Sequence, residues 1–302
     1  MPTTTAGLPT DEVRDAARLL ARLLEPIVAQ VYFAPECHDA YAALGFNGSP
    51  HTTKDGVALP DGPAYFTSRG SCLGLAPGEL VAGAFGVFNP EVVVPAVAHG
   101  WSLTDAATIA DARLRGGVAQ LERILGSEPD GVDRANELLA RAVEPLEPWG
   151  RALFAGVRSQ GLPGTPLGDL FRLGDQLREY RGDSHIAAWI SAGRDAVEIG
   201  LLTELYWGMP LRTYIRTRAW SESDLDAAER RLEEAGLLKE GQLTDDGRAH
   251  REAIELATDA QLAPAIEALG GDVQELDDLL RPWATAVMDA NGYPQSPLAI
   301  TR

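Results

Sequence analysis

The 302-residue sequence is short of positive charge: 26 lysines and arginines face 44 aspartates and glutamates, giving a formal charge of -18. That balance excludes broad attraction to polyphosphate or to an anionic bilayer, so any nucleic-acid contact needs a locally reversed patch. Cysteine is nearly missing. Cys37 and Cys72 are the chain's 2 cysteines, and without a secretion signal they are expected as reduced thiols with no metal or redox signature. Long hydrophobic runs are missing too: the stretches 80–87 and 92–97 fall well short of the roughly 20 residues that span a bilayer, so no membrane helix is expected. Residues 1–9 lack a basic region followed by an apolar one, and Asp11, Glu12 and Asp15 stand where a signal peptide would be apolar, so a cytoplasmic location is expected. His38, His51, His99, His185 and His250 show no pairing at three or four residues, so a metal site is not expected. No glycine-rich phosphate loop, Gly-x-Ser-x-Gly elbow or Ser-x-x-Lys motif occurs, and no cofactor is expected.

What remains is a folded composition, 45% hydrophobic and 23% charged, with helical periodicity over most of its length. Val13, Ala16, Ala17, Leu20, Leu23, Leu24, Ile27, Val28 and Val31 set the apolar face of a long first helix that opens on acids. The region 46–62, rich in Gly, Pro, Thr and Asp, reads as a loop long enough to serve as a lid. Helices are then predicted over 77–88, 90–98, 104–125, 132–143, 148–158, 166–180 and 184–209. A faint likeness of layout between 80–125 and the later helix-turn-helix region suggests a degenerate tandem, without a residue-level repeat.

From Tyr206 to Gln261 the pattern changes. A short helix is predicted over 210–217, Ser221 or Ser223 caps the next, and Leu225, Ala228, Leu232 and Ala235 form its apolar face up to Gly236. Leu237-Leu238-Lys239 and Gln242-Leu243-Thr244 flank Gly241 as a very short hairpin, and Asp246-Gly247-Arg248 starts another helix. The run 225–238, with Leu243-Thr244-Asp245-Asp246-Gly247-Arg248 after it, resembles the recognition helix and wing of MarR-type regulators, over about 80 residues. More broadly, the chain resembles an actinobacterial helical family often described as winged-helix. The implied fold is mainly α: a helical amino-terminal domain over 1–181 and, over 182–302, a MarR-like winged helix-turn-helix with a short β-hairpin wing and C-terminal helices. MarR-like proteins dimerise through helices outside the wing, so the resemblance implies a homodimer, with the helix over 273–288 as its candidate seam.

The surface chemistry argues against the DNA reading that such a fold suggests. Arg230 and Arg231 on the recognition helix are outnumbered by Asp224, Asp226, Glu229, Glu233 and Glu234, and the wing adds Glu240, Asp245 and Asp246 against Lys239. Arg212, Arg216 and Arg218, flanked by Tyr214 and Trp220, form a basic stretch that could grip phosphates in a dimer or pair with nearby carboxylates.

Two clusters could carry chemistry. In Arg178-Glu179-Tyr180-Arg181-Gly182-Asp183-Ser184-His185, Asp183 or Ser184 is expected to cap a new helix and leave His185 in its first turn, neutral and beside two arginines. The alternative is a purely structural joint between helix ends. In the second cluster Arg69 sits among aromatic and small residues, Tyr65 to Cys72, followed by Phe88 and Asn89, as in a pocket wall with few polar anchors. Three functions stay open. One is a small-molecule sensor using Tyr65, Arg69, Phe88, Asn89, Arg178, Arg181 and His185, with DNA contact weak or lost. Another is an enzyme with His185 as general base, oriented by Asp183. The third is a transcriptional regulator that binds DNA.

Overall fold

The computed structural model describes residues 9–53 and 55–300; the amino-terminal stretch read for a signal sequence lies almost wholly outside the described residues. Helix α1 (Asp11–Ala29) starts where the Thr10 hydroxyl accepts the Val13 N–H at 3.3 Å, and its apolar stripe of Leu20, Leu24, Ile27 and Val28 is buried. It packs against α9 (Pro166–Ser191) and α14 (Val273–Asp289). The same core takes in α2 (Pro35–Ala43), α6 (Ala106–Leu125), α7 (Val132–Val143) and α13 (Ala263–Leu269). The helices α13 and α14 thus follow the hairpin in sequence but return to the amino-terminal bundle in space. Leu276, Leu280, Trp283 and Val287, the apolar face of the expected dimer seam, are buried inside this core.

A second cluster joins α3 (Gly62–Gly70), α4 (Gly78–Phe85) and α5 (Pro90–Leu103) through Phe66, Val81, Phe85, Phe88, Val93 and Val97. Sequence periodicity missed α3, which Asp61 caps through the Ala64 N–H at 3.2 Å. The short α8 (Ala152–Ser159) packs on α9. It begins at Ala152 rather than at Pro148.

The largest departure from expectation lies at Arg181-Gly182-Asp183-Ser184. These residues look like a helix stop followed by a cap, yet α9 runs through them as a single 26-residue helix. Gly182 has no positive φ, and Asp183 spends its carboxylate on the backbone N–H of Phe154, at 3.0 Å, instead of capping its own helix. Packing on both sides outweighs the glycine's helical penalty of about 1 kcal/mol. The real break comes at Ala192 and Gly193, and α10 (Ala196–Tyr206) then opens with a capping box formed by Asp195 and Glu198. Positions 181 and 182 therefore fall within a continuous helix.

After α10 the chain turns through Arg212, whose φ is 59°, into a 3-10 helix, Tyr214–Arg218, in place of the predicted α-helix over 210–217. The Glu204 carboxylate causes the turn: it is fully buried and accepts backbone N–H bonds from Arg212, Thr213 and Ile215. Ser221 caps α11 (Glu222–Glu234), with Asp224 completing a capping box. Strands β1 (Leu238–Lys239) and β2 (Gln242–Leu243) pair antiparallel, joined by Glu240 and Gly241, both at positive φ as a type I′ turn requires. Thr244 then caps α12 (Asp245–Ala260), which lies along α9. The architecture is therefore mainly helical with a two-stranded wing, as expected. No helix of the described residues is long and apolar enough to cross a membrane.

Candidate functional site

A cavity of about 290 Å³ opens where α9, α10, α12 and the 3-10 helix meet α3 and the end of α4. Its wall carries five arginines, Arg69, Arg178, Arg181, Arg218 and Arg251, and one carboxylate, Glu255. Tyr65, Phe85, Phe88, Trp207 and Tyr214 provide the aromatic surface. In an acidic protein this is the locally reversed patch, and it faces inward.

Most of these arginines are held from behind. Arg69 makes a two-pronged contact with Glu179, at 2.7 and 3.0 Å, donates to the Tyr65 hydroxyl at 3.3 Å, and lies 4.5 Å from the centre of the Phe85 ring. Arg178 bonds Glu25 at 2.9 and 3.2 Å and Glu179 at 3.0 Å. Burial pushes the Glu179 carboxyl up, but Arg69 and Arg178 outweigh it and hold it at about 2. Arg181 and Arg251 share Glu255, whose carboxyl they likewise pull down to about 2 against the opposing effect of burial. Arg181 keeps a buried Nε–H without a partner.

Arg218 differs from its neighbours. It has no carboxylate partner among the described residues: its guanidinium lies 4.6 Å from the centre of both the Phe88 and the Tyr214 ring and donates to the Tyr214 hydroxyl. Its backbone is clamped, since the Arg218 carbonyl accepts the Asn89 N–H at 3.0 Å, the Ala219 carbonyl accepts Asn89 Nδ2 at 3.0 Å, and Trp220 Nε1 donates to the Val87 carbonyl at 2.9 Å.

His185 reaches the same cavity from α9. Its Nδ1 is 3.1 Å from Thr258 Oγ1, and the Thr258 hydroxyl donates to the Ile254 carbonyl at 2.8 Å. With that proton committed, Thr258 accepts from the histidine, which fixes the Nδ1–H tautomer and leaves Nε2 as a lone-pair acceptor. Burial, reinforced by Arg251, lowers the imidazole to about 4, so the ring is neutral. The helix terminus expected to do this is not there.

A helix-turn-helix family model matches residues 17–294. The chain belongs to that helix-turn-helix family. No curated protein and no solved structure matches it.

In this helix-turn-helix protein the arginines that precede α11 are largely neutralised by the carboxylates of α11. Arg212 engages Glu222, Asp226 and Glu229, and Arg216 engages Glu222 and the Arg212 carbonyl. Arg231 pairs with Asp195 and Glu198. Arg230 stays exposed without an ion pair among the described residues. The helix expected to relate Arg212 to Arg216 is absent, and the third arginine of the stretch turns into the cavity.

Of the residues read from sequence as a ligand site, Tyr65, Arg69, Phe88, Arg178, Arg181 and His185 line the cavity together. Asn89 does not; it caps α5 through the Glu91 N–H at 2.9 Å and clamps Ala219. Asp183 does not orient His185 either. Its carboxyl is buried against Phe154 and pushed up to about 7 by burial. Sequence reasoning missed Thr203, Arg251, Glu255 and Thr258. The last three recur at helical spacing on α12, a polar stripe facing Arg181 and His185, and that periodicity was the available signal. The loop read as a lid contributes Pro50, His51, Leu59 and Pro60 to an adjoining cavity that shares Tyr65, Phe88, Arg178, Tyr214 and Arg218 with the first. Cys37 and Cys72, raised to about 12 by burial, offer no nucleophile.

Proposed function

We propose that this helix-turn-helix protein binds a small anionic molecule in the cleft behind its 3-10 helix and acts as a sensor or ligand-binding protein with little or no DNA contact. Arg218 carries the reading: a cation without a carboxylate partner among the described residues, stacked between two rings on the wall of a cavity rich in arginine. Such a group attracts an oxyanion, and the aromatic surroundings favour a planar one. The same residue ends the segment that leads into α11, so an occupant of the cleft would pull on the helix-turn-helix from inside.

The family and the wing favour a second reading, a regulator that binds DNA. Exposed Arg230, Lys239 and Arg248 are its cations without an ion pair among the described residues of α11, the wing and the start of α12. The acidic face of α11 speaks against it. An enzyme using His185 as base is poorly supported, because an imidazole lowered to about 4 suits accepting a hydrogen bond better than abstracting a proton.

The deciding experiment pairs ligand-observed NMR of benzoate and uncharged benzyl alcohol with a gel shift on the protein's own upstream DNA across salt concentrations. Benzoate is expected to bind at least tenfold tighter than the alcohol, an advantage that Arg218→Met removes, and DNA is expected to run free even at low salt. DNA retention that falls steeply with salt would establish the regulator instead.

A further inference from the structure

The cavity presents donors almost everywhere, because guanidinium groups can only donate. The oxygens of Glu255, Thr203, Tyr65 and Tyr214 already accept from these arginines, and His185 Nε2 is an acceptor that no arginine engages among the described residues. Its lone pair faces the cavity because Thr258, already bound to the Ile254 carbonyl, holds the ring's proton on Nδ1. The Nε2 acceptor stands among Arg181, Arg251 and Glu255, and the donors of both arginines toward Glu255 are occupied. A ligand oxyanion placed at Nε2 would meet a lone pair, whereas an O–H or N–H would meet a partner. On another wall of the same cavity, Arg218 offers a positive charge that no carboxylate of the described residues pairs, and a stacking surface made by Phe88 and Tyr214.

We infer that the cavity recognises a small planar molecule carrying two groups at once, an anionic oxygen group held by Arg218 and a hydroxyl or N–H donated to His185 Nε2, as a hydroxyaryl carboxylate presents them. The volume of about 290 Å³ admits a single substituted ring and excludes a polymer segment. Satisfying both walls gives selectivity as well as affinity, since a ligand without the donor leaves the histidine lone pair desolvated and unpaired. This assignment rests on the anion-binding cleft proposed above and adds the second contact.

The test uses the full chain and isothermal titration with benzoate, 3-hydroxybenzoate, 4-hydroxybenzoate and phenol. At least one hydroxybenzoate is expected to bind tenfold or more tighter than benzoate. His185→Leu should bring that ratio to about one, and His185→Gln, which retains an acceptor, should recover part of it. Thr258→Val keeps the ring but unlocks its tautomer, and it should reduce the hydroxyl's advantage severalfold even if the leucine variant does not fold. Arg218→Met should weaken every carboxylate alike and spare phenol. If benzoate binds but no hydroxyl isomer gains, or the gain survives both His185→Leu and Thr258→Val, the donor contact is wrong and the anion cleft stands. If no carboxylate binds, the cleft reading falls with it.

Discussion

Arg212 and Arg218 lie six positions apart in one basic stretch, and the fold uses them in opposite ways. Arg212, in a left-handed turn, reaches outward to Glu222, Asp226 and Glu229 on α11, and the outer face of the helix-turn-helix is neutralised there. Arg218, at the end of the 3-10 helix, points inward and meets aromatic rings with no acid. A count of charges along the stretch treats the two as equal. Their difference comes from the turn that buried Glu204 holds by accepting the backbone N–H groups of Arg212, Thr213 and Ile215, so a carboxylate on α10 decides where the arginines point. Inner and outer arginines also differ in their energetics. Solvent screens the outer pairs, whereas the inner ones are paired out of water, where losing a partner is costly.

The largest expected effect tests that contrast directly. Glu179 is 2% exposed and holds both Arg69 and Arg178. Glu179→Ala would strand the Arg69 guanidinium and leave Arg178 with Glu25 alone, and is expected to lower unfolding free energy by about 3–5 kcal/mol in urea denaturation. Glu229→Ala, measured alongside, removes one of three partners of a partly exposed arginine and should cost far less. Equal losses would erase the distinction between the two regions.

A smaller effect is expected at the seam between them. Gly200 on α10 lies so close to Ile215 of the 3-10 helix that an added Cβ would overlap the isoleucine side chain. Gly200→Ala should destabilise by about 1–3 kcal/mol through overpacking. Since Ile215 and Arg218 share one short helix, the same variant should weaken benzoate binding beyond what its stability loss explains. Unchanged affinity in a destabilised variant would mean that the seam does not position Arg218.

Much of this arrangement was legible in the sequence, and the parts that were not have physical causes. Periodicity, caps and punctuation placed α1, α6, α7, α11 and the hairpin, because each carries its own start and stop signals. The same logic failed at Gly182 and Asp183, where α8 takes the side chain that would have capped a new helix. A local signal was overruled by a tertiary hydrogen bond. The cavity was legible as two separate clusters, around Arg69 and around Arg181 and His185, because each is contiguous in sequence. Its third wall was not, since Arg251, Glu255 and Thr258 lie on a helix that reads as a solvated one until α9 packs against it. In sequence Arg218 reads as either a phosphate-gripping residue or a partner of nearby carboxylates, because the positive φ at Arg212 and Ala219, which breaks the helical register of the stretch, leaves no mark in residue composition.

An effect confined to a pH window sharpens the comparison from inside, at a buried acid that has no ion pair with an arginine among the described residues. Burial, with Glu179 adding to it, raises the Asp183 carboxyl to about 7 from an ordinary 3.8. Below pH about 4 the group is protonated in both folded and unfolded chains and costs nothing. Between about 4 and 7 the unfolded chain releases the proton while the folded one retains it, so this residue's contribution declines as pH rises and is fully lost above the folded value. Asp183→Asn preserves an acceptor for the Phe154 N–H and cannot ionise. Its stability relative to the native chain should therefore climb between pH 4 and 7, by up to about 4 kcal/mol for a shift of about three pH units, in denaturant titrations repeated at each pH. Parallel stability curves for the two proteins would show that Asp183 titrates as a solvated acid, and that the interior beside Glu179 is wetter than its packing implies.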